Sequence, residues 1–269
     1  MSEVLSESLS KGSDRGRNQP AAAGIPGASG VRIAGKNRAA DGIYRDGAYL
    51  SNNPTWHAED SAWKSRQIEN ILRKNTIVPR TVAEIGCGAG EILIQLQKAF
   101  PDAQYSGYEI SPQAFSLCRG RENSGIRFYL KDLSAEKGAH FDILLVVDVF
   151  EHVDDYLGFI RSVKEKADFK VFHIPLDLSV QALLRGAPIL RRRETVGHLH
   201  YFFKETALAT LQYCGYEVID FLYTAAAVDK PDLSFGPKLL KLPRKILFKM
   251  NADIAVRVLG GYSLLVLAR

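Results

Sequence analysis

Between residues 81 and 175, five short runs rich in β-branched and aromatic residues alternate with segments of helical spacing, and this alternation restricts the chain more than any other feature. The runs are TVAEI at 81–85, QYSGYEI at 104–110, IRFYL at 126–130, FDILLVV at 141–147 and FKVFHIP at 169–175; EILIQLQKAF, SPQAFSLCRG and DYLGFIRSVKEKA stand between them. Strands separated by helices form βαβ units and a parallel sheet, whose central strands are apolar on both faces because helices cover both. ILLVV reads as such a centre. A helix at about 204–214 closed by Gly215, a strand YEVIDFLY and a terminal strand YSLLVLA follow. No self-similarity at a solenoid period is visible.

The remaining segments are assigned by composition. Residues 1–40 are rich in Ser, Gly, Ala, Pro and charge, with few large apolar side chains to offset the entropy of ordering, and read as a disordered tail. A helical lid segment is expected over 41–77. Within it, Asp60 or Ser61 can cap a helix that runs to about Lys74 with Trp63, Ile68, Ile71 and Leu72 on its apolar side. Trp56 and His57 just before it either close over a ligand or pack as helix aromatics. Residues 78–269 form the main domain, with insertions at about 176–200 and 229–258. Cys87, Cys118 and Cys214 are an odd number without a CxxC pair, which indicates neither a disulfide framework nor a zinc site. The N-terminus lacks an apolar signal region and no stretch approaches the ~20 apolar residues of a membrane span, so a cytoplasmic location is expected.

The run from Val82 to Gly90, VAEIGCGAG, passes from an apolar strand into a helix and gives E-x-G-x-G-x-G at the turn. Glycines there accept positive φ and let a ligand approach the backbone, while the helix N-terminus offers unpaired N–H groups. A nucleotide-like ligand is implied. Dinucleotide-binding folds place G-x-G-x-x-G at this turn, which needs glycine at 91, where Glu91 stands. A carboxylate beside that helix end repels a diphosphate and favours a ligand with a cationic sulfonium and ammonium.

With these residues the chain resembles the class I, Rossmann-like S-adenosylmethionine-dependent methyltransferases. The resemblance implies that Glu84 orients the methionine amino end over the turn of Gly86, Cys87, Gly88 and Gly90. It implies that Glu109 and the adjoining Ile110, at the end of the second strand, hold the ribose hydroxyls, that Asp132 binds the adenine amino group with Leu133 flanking the base, and that Asp148 in VVDVFEHVDD stands beside the cofactor. The match, D-x-x-E-H-V included, resembles the small-molecule methyltransferases and covers roughly residues 78–223. The implied fold is a doubly wound α/β sheet of seven strands in the order 3-2-1-4-5-7-6, the last antiparallel, with helices on both faces. S-adenosyl-L-methionine is the expected cofactor, at the carboxyl ends of strands one and four.

Methyl transfer from a sulfonium is an in-line displacement with an activated leaving group, so the protein chiefly positions donor and acceptor. A hydroxyl or ammonium acceptor needs a base, and His152, His198 and His200 are the catalytic candidates. Packing roles stand beside each. Two histidines at i and i+2 without a third ligand do not indicate a metal. Cys87 has no evident base and reads as a compact loop residue. Asp148-Val149-Phe150-Glu151 replaces the N/D-P-P-Y of enzymes that methylate base amino groups or glutamine, which disfavours nucleic acid as a partner.

The net charge of +5 arises from 35 basic and 30 acidic residues interspersed, a weak pointer to an anionic partner. It is concentrated in places. Between Asp232 and Asn251 no acid occurs, while Lys238, Lys241, Arg244, Lys245 and Lys249 interleave with apolar residues; Pro243 suits a first helical turn, with Leu247, Met250, Ile254 and Val258 along one face. Arg191, Arg192 and Arg193 repeat the theme. The stretch 236–250 is either a lid on its own domain or a surface for peripheral contact with an anionic membrane or a lipid-linked acceptor. The acceptor is expected to be a small molecule, a sugar or a lipid-linked compound. Two other classes stay open: a non-catalytic adaptor that keeps the fold, and a nicotinamide-dependent oxidoreductase, against which Glu91 counts.

Overall fold

In the computed structural model of the protein, residues 58–225 and 244–269 are described. Helix α1 (Ala58–Lys74) precedes β1 (Thr81–Ile85), α2 (Glu91–Ala99), β2 (Gln104–Glu109), α3 (Pro112–Cys118), β3 (Ile126–Leu130), β4 (Phe141–Val147), α4 (Tyr156–Ser162) and β5 (Ala167–Leu176). Next come α5 (Val180–Arg185), α6 (Ala187–Thr195), α7 (Lys204–Tyr213), β6 (Val218–Thr224), a helical stretch α8 (244–250), α9 (Ala252–Leu259) and β7 (Tyr262–Ala268). The strands form one seven-stranded sheet in the order β3-β2-β1-β4-β5-β7-β6. β7 lies antiparallel to both β5 and β6, and the other pairings are parallel. The expected order and orientation are borne out.

Strand alternation divides the core in two. Leu144, Val146, Phe172, Ile174, Leu264 and Val266 face a cluster with Ile160, Ala207 and Leu211. Ile143, Leu145, Val171, Leu265 and Leu267 face the other, with Ile68, Ile71, Leu93 and Leu96. Each fully buried Leu, Ile or Val contributes about 1.5–3 kcal/mol, so β4, apolar on both sides, is the centre of stability that its sequence suggests. β1 ends at this centre, and its glycine turn is thereby held between β2 and β4.

Several expectations need correction. Helix α1 already includes Ala58, so Asp60 stands inside its first turn, where a carboxylate favours the helix dipole, and neither it nor Ser61 is the cap. β6 starts at Val218, because the Tyr216 hydroxyl is drawn into the core to donate to the Ile160 carbonyl (2.8 Å), and a bulge lies between Val218 and Asp220. The basic helix is not continuous. Asn251 interrupts it with extended backbone, and its side chain accepts from Ile254 N (3.0 Å) as the cap of α9. The cap resets the helical phase, so Ala255 and Val256 turn inward while Met250 and Ile254 are 77% and 50% exposed. The tail at 1–40, the lid residues up to 57 with Trp56 and His57, and residues 226–243 of the second insertion lie outside the described residues.

Candidate active site

The turn after β1 is made by left-handed backbone. Gly86, Gly88 and Gly90 have φ of 66°, 55° and 75°, a region that costs other residues roughly 1–2 kcal/mol. At Gly90, which caps α2, a Cβ would also stand 2.5 Å from Phe128 Cε1. Gly86 N and Cys87 N donate to the Tyr108 carbonyl (2.8 and 3.1 Å), which ties the turn to β2. Glu91 opens α2 and pairs with Arg121 (2.6 Å).

Two carboxyl groups lie against this turn. Glu109, at the end of β2, accepts from Gly88 N (2.9 Å) through Oε2 and from Ile110 N (2.9 Å) and Ser111 N (2.8 Å) through Oε1. Burial raises its pKa, and the three N–H donors offset part of the rise. Glu84 on β1 is 2% exposed, and its Oε2 has no hydrogen-bond partner among the described residues. Burial pushes its pKa well above the usual carboxylate range, against the opposing pull of Lys64.

Asp148, just after β4, has φ of 53°. Its Oδ1 accepts from His173 Nδ1 and its Oδ2 pairs with Lys64 Nζ, each at 2.6 Å. Burial alone would raise the Asp148 pKa; His173 and Lys64 reverse that and hold it well below the ordinary carboxylate range. His173 Nε2 meets Thr224 Oγ1 at 2.9 Å, so this chain of groups runs from α1 through β4 and β5 to the end of β6. Lys64, His173 and Thr224 were not anticipated. A histidine inside the apolar run FKVFHIP was a visible signal for His173, whereas nothing in the α1 pattern singled out Lys64.

Asp132 is exposed and accepts from Ser134 N (2.8 Å) in a turn after β3. Leu133 is fully buried within the sheet core, so its side chain presents no surface to a base; the turn at Asp132 directs it inward. Ile110 is partly exposed beside Glu109. Cys87 and Cys118 are buried neighbours, and the Cys118 hydrogen bond together with burial pushes the Cys87 thiol up, which leaves it inert.

All three candidate histidines gather at one turn. Phe150–His152 form a single 3-10 turn after Asp148, and the Glu151 carbonyl accepts from Leu199 N (2.8 Å) and His200 N (3.1 Å), which binds the turn to the loop following α6. His152 Nδ1 is 3.2 Å from the Gly197 carbonyl, and His200 Nε2 is 2.9 Å from the Val153 carbonyl. His198 Nδ1 meets Asp177 Oδ2 at 2.6 Å, and Asp177 Oδ1 pairs with Arg192 Nε at 2.9 Å. Burial lowers the His152 pKa to about 4. Glu151, absent from the sequence-based candidates, is 1% exposed, and neither carboxyl oxygen makes a hydrogen bond among the described residues. The fold thus sets a ligand-type carboxyl beside His152 and His198, while His200 stands outside this group.

Residues 83–167 match the family model described as a methyltransferase domain. A ubiquinone biosynthesis O-methyltransferase of Xanthomonas oryzae pv. oryzae (strain PXO99A) is 28% identical over 181 residues, covering 60% of this chain and 74% of the relative. One of Actinobacillus pleuropneumoniae serotype 7 (strain AP76) is 24% identical over 149 residues, covering 48% and 63%. Among solved structures, the N-methyltransferase NodS from Bradyrhizobium japonicum WM9 in complex with S-adenosyl-L-homocysteine shares the fold with a TM-score of 0.51 at 17% identity, covering 83% of this chain and 98% of that one. The plantazolicin methyltransferase BpumL in complex with the same product also has a TM-score of 0.51, at 13% identity, covering 83% and 87%. The matched domain, the sheet order and the glycine turn define a class I, Rossmann-like methyltransferase. Within that class it is an S-adenosylmethionine-dependent enzyme, and neither the adaptor nor the oxidoreductase reading is favoured.

Proposed function

We propose that this protein transfers a methyl group from S-adenosylmethionine to a hydroxyl oxygen of a small-molecule acceptor. The unpartnered buried carboxyl of Glu84 beneath the glycine turn carries the reading, because a buried acid with a free oxygen suits an ammonium group and no part of a diphosphate. The residues present fit the cofactor in other respects. A carboxylate offers about four lone-pair positions, and three N–H donors leave Glu109 one on Oε2 for a ribose hydroxyl. Asp132 at the end of β3 is open to an adenine amino group. When bound, the cofactor supplies a methyl group on a sulfonium whose departure leaves a neutral thioether.

The remaining work falls to the protein's own groups. The turn at 150–152 follows Asp148 and is joined to the loop at 197–200, which supports these residues as the ones that would meet an acceptor. Burial lowers the His152 pKa to about 4, so His152 is a weak base at neutral pH and poorly suited to take a hydroxyl proton. The names of the sequence relatives support oxygen as the methylated atom. Leu183 and Leu184 on α5, Leu190 on α6, and Ile246 and Met250 on α8 are exposed, and Arg185, Arg191, Arg193, Lys245 and Lys249 are exposed among them. α5 packs against α6 and α9, and Arg244 at the start of α8 donates to the Leu259 carbonyl (3.5 Å), so these elements adjoin. Such a basic and apolar surface favours an acceptor with an apolar portion, carried at an anionic membrane.

Calorimetry with S-adenosylhomocysteine and NADH tests the cofactor, and transfer of labelled methyl into hydroxylated acceptors tests the reaction. Binding of the first ligand and not the second, with label recovered as a methyl ether, is expected. Absence of affinity for S-adenosylhomocysteine would overturn the reading.

A further inference from the structure

Glu151, His152 and His198 form a cluster with the donor set of a cation site, a role distinct from the proton transfer for which the histidines are candidates. Their ligand atoms lie within 4.8 Å of one another, and Glu151 Oε1 is 3.8 Å from His152 Nε2. Zinc–nitrogen and zinc–oxygen bonds of ~2.0–2.2 Å place tetrahedral ligands about 3.3–3.5 Å apart. The observed spacing is somewhat wider, so a bound ion would draw the three atoms together. The site is also held from behind. Asp177 fixes the Nδ1 side of His198 and is itself held by Arg192, while the Gly197 carbonyl fixes the Nδ1 side of His152. A carboxylate or carbonyl on the far nitrogen is what sets the tautomer and orientation of metal-bound imidazoles.

The independent sign is Glu151. A carboxyl group that is 1% exposed with two oxygens lacking hydrogen bonds is costly to bury. Its main-chain carbonyl accepts from Leu199 N and His200 N, which holds in place the turn that carries it.

We propose that Glu151, His152 and His198 bind one divalent transition-metal ion, with zinc as the reference ion. Two imidazoles and one carboxylate suit zinc, cobalt or manganese, and supply too few oxygens for calcium or magnesium. Three protein ligands leave a fourth position open, the arrangement of sites that take a water or a substrate oxygen. The metal site stands on its own geometry; only the assignment of its open position to the acceptor hydroxyl rests on the proposed methyl transfer. Asp177 acts through His198 as a positioning residue.

The test uses the full untagged chain, freed of metal with a chelator and titrated with Zn2+, with Mg2+ in parallel and S-adenosylhomocysteine binding measured on each sample. One Zn2+ per chain is expected, with no comparable Mg2+ binding. Glu151→Gln and His198→Ala should each weaken Zn2+ binding at least tenfold, and Asp177→Asn by about 10–100-fold. Cobalt substitution should give visible d–d bands without a sulfur-to-metal charge-transfer band, which separates this site from the thiols. Thermal melting identifies any variant that unfolds, and the near-isosteric Glu151→Gln then decides. Absence of stoichiometric Zn2+ binding, or binding unchanged in that folded variant, would overturn the proposal. Loss of S-adenosylhomocysteine binding with Zn2+ binding intact would instead overturn the cofactor reading.

Discussion

At the scale of single residues, Glu84 on β1 and Asp148 just after β4 are tuned in opposite directions, the first by burial and the second by His173 and Lys64. Glu84 is buried without a partner for Oε2 and its pKa is raised, so its neutral form is favoured in the fold. Its contribution to stability is therefore best below the unfolded-state pKa near 4.5 and declines as pH rises toward the raised value. A ligand ammonium reverses the shift. Binding of S-adenosylhomocysteine should release a proton and tighten with pH until the raised pKa is passed; calorimetry in buffers of different ionisation enthalpy measures this, and Glu84→Gln should abolish it. Asp148 behaves in the other sense. Its lowered pKa means that its stabilisation is present above about pH 4 and is lost as pH falls toward the folded value. Asp148→Asn should cost about 3 kcal/mol in denaturant unfolding, since it leaves Lys64 and His173 without their acid, while Asn tolerates the positive φ.

At the scale of elements, β1, β3, β4 and β7 begin and end where the sequence runs do; β4 and β7 are buried along most of their length, while the edge strand β3 buries only Ile126 and Phe128. The glycine turn was equally legible, since only glycine is at ease at three positive φ values in five residues. What the sequence hid was set by contacts distant in the chain. Lys64 becomes part of the site only because α1 packs beside β4 and β5, and Glu151 becomes a ligand-type residue only when the 197–200 loop closes on its turn. The Asn251 break was hidden for another reason: the 3.6-residue period continues through it, and a cap residue in mid-pattern is indistinguishable from a polar face. Asn251→Ala should cost about 1 kcal/mol in thermal or denaturant unfolding; an unchanged midpoint would argue against the cap.

At the scale of the molecule, the carboxyl ends of the parallel strands β1, β2 and β4 gather on one side, and α5, α6 and α8 expose the apolar and basic residues proposed above as a membrane-facing surface. Among the described residues no helix is long and apolar enough to cross a membrane. Flotation with liposomes should show binding that depends on acidic lipid, weakens with salt and falls when Leu184 is replaced by Asp; equal recovery with neutral lipid would count against an electrostatic contribution.

The position of β7 has a consequence for synthesis. It is the last of the seven strands in chain order, yet it lies between β5 and β6, and among the described residues β6 pairs with no other strand. Until residues 262–268 leave the ribosome, β5 presents an unpaired apolar edge and β6 has nothing to join. A nascent chain in that interval carries a template for pairing with its neighbours, so the protein is most exposed to aggregation just before translation reaches its final strand.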